Sequence, residues 1–233
     1  APAISLPAFF QGRPGQWNRG NKEGRSVLYE IRTYNLKPGA VSAYEKLFAA
    51  GYPVRSQYSQ LYGAWHSEIG PLNQVVQIWG YQSLQQRADV RKAAAADASG
   101  AWPPDDAHLI VSQENDILTP VKTMTEWQGP QQWGTLYELR MYTYGYGEIG
   151  RVAETFAQAL PGRSAIYPVA GIWTSELGNM NRLYQLFPYR DWAHRDAARA
   201  EIRSKGLWPP HGDDHPVQQL VRHMAPADYS PLH

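Results

Sequence analysis

Residues 27–36 alternate apolar and polar side chains, aromatic and β-branched among them, which predicts a strand. Pro38-Gly39 punctuates it, and Val41, Tyr44, Leu47 and Phe48 then recur at helical spacing within 40–50. Strands at 61–68 and 72–81 follow, joined at Gly70-Pro71, a hairpin signal. Ser83 is placed to cap an Arg- and Ala-rich helix reaching about Ala98. Trp102-Pro-Pro should stop that helix, because the residue before a proline is pushed out of the helical region. Residues 107–120 read as a last strand. The series then runs again: a strand at 135–144 and a helix at 149–160 carrying Ile149, Val152, Phe156 and Leu160. Strands at 169–176 and 180–189 meet at Gly178-Asn179, Asp191 caps a helix to Ser204, Trp208-Pro-Pro stops it, and 215–225 is the last strand.

The recurrence is in the residues as well as the pattern. Leu28-Tyr-Glu-Ile-Arg-Thr-Tyr34 returns 108 residues further on as Leu136-Tyr-Glu-Leu-Arg-Met-Tyr142. Gly63-Ala-Trp-His-Ser-Glu-Ile-Gly70 returns at the same offset as Gly171-Ile-Trp-Thr-Ser-Glu-Leu-Gly178. Asn73, Gln77, Tyr81, Arg87 and Arg91 match Asn181, Gln185, Tyr189, Arg195 and Arg199. A unit this long is a domain rather than a solenoid repeat. The expected organisation is an N-terminal arm (1–26) and two homologous domains at 27–126 and 134–233. Each reads as βαββαβ, the ferredoxin-like split pattern, an α+β class whose sheet carries helices on one face. Two such sheets can cover each other's bare faces, giving a sandwich or closed barrel with pseudo-two-fold symmetry. In the arm, Phe9, Phe10 and Trp17 are placed to anchor it on a neighbour or on the domain surface.

These motifs resemble a known family. Tyr29-Glu-Ile-Arg-Thr-Tyr-Asn-Leu-Lys-Pro-Gly39 and Ser67-Glu-Ile-Gly-Pro-Leu-Asn-Gln-Val-Val-Gln-Ile-Trp-Gly-Tyr81 are similar to the signatures of a NIPSNAP domain. The second copy repeats them at Tyr137-Glu-Leu-Arg140 and Ser175-Glu-Leu-Gly-Asn-Met-Asn181, and Asp228-Tyr-Ser-Pro-Leu-His233 resembles the tail of two-domain members. The resemblance implies a dimeric α/β-barrel fold and, for two-domain members, a mitochondrial setting and roles in vesicle trafficking and mitophagy signalling; a secreted setting is the alternative that residues 1–26 leave open. Wider relatives of that barrel include haem-dependent enzymes and small monooxygenases. The family supplies no agreed set of catalytic residues to carry over. The second copy departs from it at Tyr142-Thr-Tyr-Gly-Tyr-Gly147, where Lys-Pro-Gly is usual, and at Phe187-Pro188 in place of Trp79-Gly80.

Charge and composition narrow the chemistry. Twenty-two Lys and Arg against twenty-one Asp and Glu leave +1, which argues against a nucleic-acid binder that works by neutralising phosphates. With no cysteine, disulfides, thiolate catalysis, zinc thiolate sites and iron–sulfur clusters all fall away. No apolar run reaches the roughly 18 residues of a membrane span. Nine Trp and fifteen Tyr suit interfaces or a lined cavity.

Strand alternation sorts the candidate residues by face. Tyr29, Ile31 and Thr33, with Tyr137, Leu139 and Met141, form an apolar set expected to meet the helices. Glu30, Arg32 and Tyr34, with Glu138, Arg140 and Tyr142, would then face the barrel interior or the domain seam. Gln77 and Trp79 share one face, as do Gln185 and Phe187. With Trp65, His66 and Trp173, these residues could line a polar, aromatic-walled pocket for haem, a pigment or another small apolar or aromatic ligand, Arg32 and Arg140 pairing with its carboxylates. The plainer alternative is a buried ion pair and hydrogen-bond ladder, Glu30 with Arg32 or across strands, that fixes how two sheets pair. His66 could carry a proton or serve as an axial ligand; a lone strand histidine is more often a structural hydrogen-bonder. His211-Gly-Asp-Asp-His215 with His223 is the densest group of metal-type ligands, yet a Pro-flanked Asp/Gly loop is usually a solvated turn. The Arg87/Arg91/Lys92 helix reads as a solvated face, with a membrane-surface or partner helix as the alternative. No phosphate loop or nucleophile elbow is present.

The leading expectation is a non-enzymatic protein that binds partners or self-associates. A small-molecule binding protein is the alternative, and a monooxygenase-like enzyme, working through an activated His or Tyr, is the third reading.

Overall fold

The computed structural model describes residues 28–126 and 129–233. The arm residues Phe9, Phe10 and Trp17 lie outside the described residues. The first half runs β1 (Leu28–Leu36), α1 (Val41–Arg55), β2 (Gln60–Ile69), β3 (Gln74–Tyr81), α2 (Leu84–Ala95) and β4 (Ile110–Pro120). The second runs β5 (Leu136–Thr143), α3 (Ile149–Ser164), β6 (Gly171–Leu177), β7 (Arg182–Tyr189), α4 (Trp192–Ser204) and β8 (Gln218–Pro226). All eight strands pair antiparallel into one closed barrel, β1-β3-β2-β8-β5-β7-β6-β4. The pairs β2–β8 and β4–β6 join the halves, so each half closes the other's open edge.

Local chemistry explains the boundaries. Ser83 and Asp191 cap α2 and α4, their side chains accepting from the backbone N–H of Gln86 (3.1 Å) and His194 (2.7 Å). Gly39 and Gly147 both sit at positive φ, so the turn after the first strand of each half is alike although the second lacks Lys-Pro-Gly. The Trp-Pro-Pro elements do not stop the helices. α2 ends at Ala95, and α4 ends at Ser204 in a Schellman motif, with Gly206 at positive φ and Leu207 N–H donating to the Ile202 carbonyl. Trp102 and Trp208 instead pack edge-on against Phe48 and Phe156. α1 and α3 run about a turn past the expected 50 and 160, through Pro53 and Pro161.

Three apolar clusters make the core. One fills the barrel lumen with strand residues of both halves, among them Tyr29, Ile31, Trp65, Leu139, Trp173 and Met224. The other two lie between the outer face of the strands and the helices of each half. The expected faces are therefore inverted: Tyr29 and Ile31 point into the lumen, while Glu30, Arg32 and Tyr34 lie under α1 and α2. The reason is electrostatic. On the outer face α2 brings Arg87 and Arg91 to Glu30, and α4 brings Arg195 and Arg199 to Glu138, so neither buried carboxylate lacks a counter-ion.

Candidate functional site

Each outer layer is built round one buried carboxylate. Glu30 accepts from Arg32 Nη2 at 2.7 Å on its own strand, and from Arg87 and Arg91 (3.3 Å) on α2. Glu138 accepts from Arg140, from Arg195 and Arg199 (3.3 Å) on α4, and meets His223 Nε2 at 3.0 Å across β8. Burial alone would raise both carboxyls; the surrounding guanidinium groups outweigh it and hold each at about 2, against 4.5 normally. The ion pair Glu30–Arg32 is thus present within β1, and Arg87 and Arg91 tie it to α2. Arg87 and Arg91 correspondingly turn inward from the helix face read as solvated.

A second duplicated arginine escapes the sequence reading. Arg55 and Arg163, 108 residues apart near the ends of α1 and α3, are almost wholly buried. Arg55 donates to the Tyr81 hydroxyl (3.2 Å) and lies 4.6 Å over the Trp79 ring. Arg163 donates to the Tyr167 carbonyl (2.8 Å) and lies 5.1 Å over Phe187. Neither meets a carboxylate among the described residues, and burial pulls both guanidinium groups below their ordinary pKa. The only signal was the shared offset, which also carries Pro53 and Pro161.

The two layers differ in what fills them. In the first, Tyr44, Phe48, Tyr52 and Trp79 pack with Tyr229 from the C-terminal tail, Phe48 stacking on Tyr229 at 4.8 Å. At the matching places the second half has Val152 for Tyr44, Leu160 for Tyr52, Phe187 for Trp79 and Val121 for Tyr229. Tyr144 for Leu36 returns one ring. Of the smaller residues, Val152 and Phe187 line a cavity of about 490 Å³, whose wall also includes Arg140, Tyr142, Gln185, Arg163, Arg199, Trp208 and the 209–216 loop.

The structure scatters the remaining candidates. Arg140, Tyr142 and Gln185 line this cavity, with Glu138 bonded to its Arg140 and Arg199 walls. Glu30, Arg32, Tyr34, Gln77 and Trp79 occupy the filled layer, and Trp65 and Trp173 the lumen. His66 is bracketed by Glu45 (2.9 Å) and Glu68 (3.1 Å), away from the cavity. His211 and His215 are exposed on the cavity's loop while His223 is on Glu138, and no three His, Asp or Glu converge for a metal among the described residues.

A family model described as NIPSNAP matches residues 29–124 and again 137–232. The chain belongs to the NIPSNAP family. Human Protein NipSnap homolog 3B is 27% identical over 226 residues, 91% of this chain and 89% of its own. The Dictyostelium discoideum Protein NipSnap homolog is 24% identical over 193 residues, 81% of each chain. Among solved structures, a putative monooxygenase from Lactobacillus acidophilus superposes with a TM-score of 0.63 over 88% of this chain and 96% of its own, at 11% identity. A second, from Fusobacterium nucleatum, gives 0.64 over 88% and 94% at 10% identity. At such identities the likeness is one of fold. No described helix of this NIPSNAP protein is long and apolar enough to cross a membrane.

Proposed function

We propose that this NIPSNAP protein binds a small aromatic molecule in the outer layer of its second half. The observation that carries the reading is the cavity of about 490 Å³ where the first half packs its own rings. That volume lies in the range of small-molecule sites, and its wall combines aromatic rings with the four arginines Arg140, Arg163, Arg199 and Arg203 and other polar groups. The site is the sheet–helix layer, not the lumen, which bulky side chains fill. The fold reading that accompanies it is of two ferredoxin-like units, supported by the strand order last-first-third-second within each half. A second reading, protein partnership or self-association in the mitochondrial setting the family implies, is supported by Ile69, Leu72, Leu177 and Met180, exposed at or beside two hairpin turns.

The test titrates the full chain with the neutral fluorophore N-phenyl-1-naphthylamine. Wild type should bind one equivalent with a blue shift. Val152→Tyr/Phe187→Trp, which copies the first half's rings into the second, should weaken binding at least about tenfold. Equal binding by both proteins would place the ligand elsewhere and sink the proposal.

A further inference from the structure

The two halves are natural controls for each other, and they differ at one buried amide. In the first half Gln77 is satisfied by the chain itself: its Nε2 donates to the Tyr44 hydroxyl (3.5 Å) and its Oε1 accepts from Trp79 Nε1 (3.1 Å). Gln185 holds the same place in the second half and is just as buried, 1% exposed. Its partners' positions carry Val152 and Phe187, which have no polar group to offer. Both of its amide atoms are without a hydrogen-bond partner among the described residues, and the side chain lines the cavity. The substitutions that opened the space thus also stripped the amide, leaving a buried donor and acceptor unmatched. A hydroxyl, one donor with two lone pairs, is the smallest group that answers both.

The cavity wall adds a charge requirement. Arg163 is 2% exposed, lines the cavity and meets no carboxylate among the described residues. In the closed layer its counterpart Arg55 is covered by the indoles of Trp79 and Trp102; in the open layer that aromatic cover is Phe187 and Tyr167. Arg140 and Arg199 share the single charge of Glu138 with Arg195. The one acid among the lining residues, Asp214, is taken by Arg151 at 2.7 Å. A guanidinium without a counter-ion suits a carboxylate, whose two oxygens match its fork.

We infer that the ligand is a hydroxylated aromatic carboxylate, its hydroxyl held by Gln185 and its acid group by Arg163. This rests on the binding proposal above and names the ligand class of the same site.

The full chain is titrated with 6-hydroxy-2-naphthoate, with 2-naphthoate, which lacks the hydroxyl, and with 2-naphthol, which lacks the acid. The first should bind about tenfold or more tighter than either other, since a site built for a polar group rejects the analogue without it. Gln185→Leu should erase the preference over 2-naphthoate and keep that over 2-naphthol. Arg163→Met should do the reverse, and Arg163→Lys, which keeps the charge, should retain part of the acid preference. Thermal unfolding of each variant shows that it is folded at the titration temperature. If wild type binds all three within about twofold while N-phenyl-1-naphthylamine still occupies the site, the ligand class is wrong and the cavity reading stands. Failure of that neutral probe as well would overturn both.

Discussion

Replacing Glu138 by Gln keeps the side chain's shape and removes the charge that Arg140, Arg195 and Arg199 converge on. The carboxyl is fully buried, and burial alone would raise its pKa; the guanidinium groups instead hold it at about 2 rather than 4.5. At about 1.4 kcal/mol per unit, that displacement corresponds to roughly 3 kcal/mol of folding free energy. Breaking one side of a buried pair costs a similar amount, about 3–5 kcal/mol, because the remaining cations are left uncompensated. Partial exposure of Arg199 trims the figure, so urea unfolding at pH 7 should place the variant about 2–4 kcal/mol below wild type. The sign with pH follows from the depressed pKa. The contribution is complete above the unfolded value near 4.5 and is lost as pH falls toward about 2, so the gap between the proteins should narrow across that window. A variant within about 0.5 kcal/mol of wild type at pH 7, or a gap unchanged from pH 6 to pH 3, would refute the reasoning.

Three further outcomes are expected. A Cβ added at Gly171 would run into the buried indole of Trp173, so Gly171→Ala should lose about 1–3 kcal/mol in urea melts, whereas Gly150→Ala, with open space around it, should stay within about 0.5 kcal/mol. Tyr44→Val copies the second half into the first; it removes a wholly buried ring and the Gln77 partner and should cost about 3–5 kcal/mol by the same assay. His66 is held above its usual pKa by its hydrogen bond to Glu45, with Glu68 adding to it. Its contribution is therefore full below about 6.5 and is lost as pH rises through the higher folded value, and an NMR titration of Glu45→Gln should show the His66 midpoint falling.

Much of this was legible because the chain is written twice. The offset from Leu28 to Leu136 located every strand and helix to within a few residues, and Ser83 and Asp191 marked two helix starts that the structure keeps. Facing was not legible. β1 is buried on both sides, so alternation separates Tyr29 and Ile31 from Glu30 and Arg32 without saying which set meets the helices. That depended on where counter-ions are, and Arg87 and Arg91 supply them from an element read as solvated. Arg55 and Arg163 stayed hidden because a search for apolar periodicity passes over basic residues. The cavity is legible only as a difference between copies: no single residue marks it, but Val152 and Phe187 set beside Tyr44 and Trp79 do.

The central claim, that the second half holds a ligand where the first holds its own side chains, is tested most directly by native mass spectrometry of the full chain after incubation with a small-molecule extract of its source. Wild type should retain one added mass that is released on denaturation, and Val152→Tyr/Phe187→Trp should be bare. Retention of the same mass by the filled variant, or a bare wild-type chain, would contradict it.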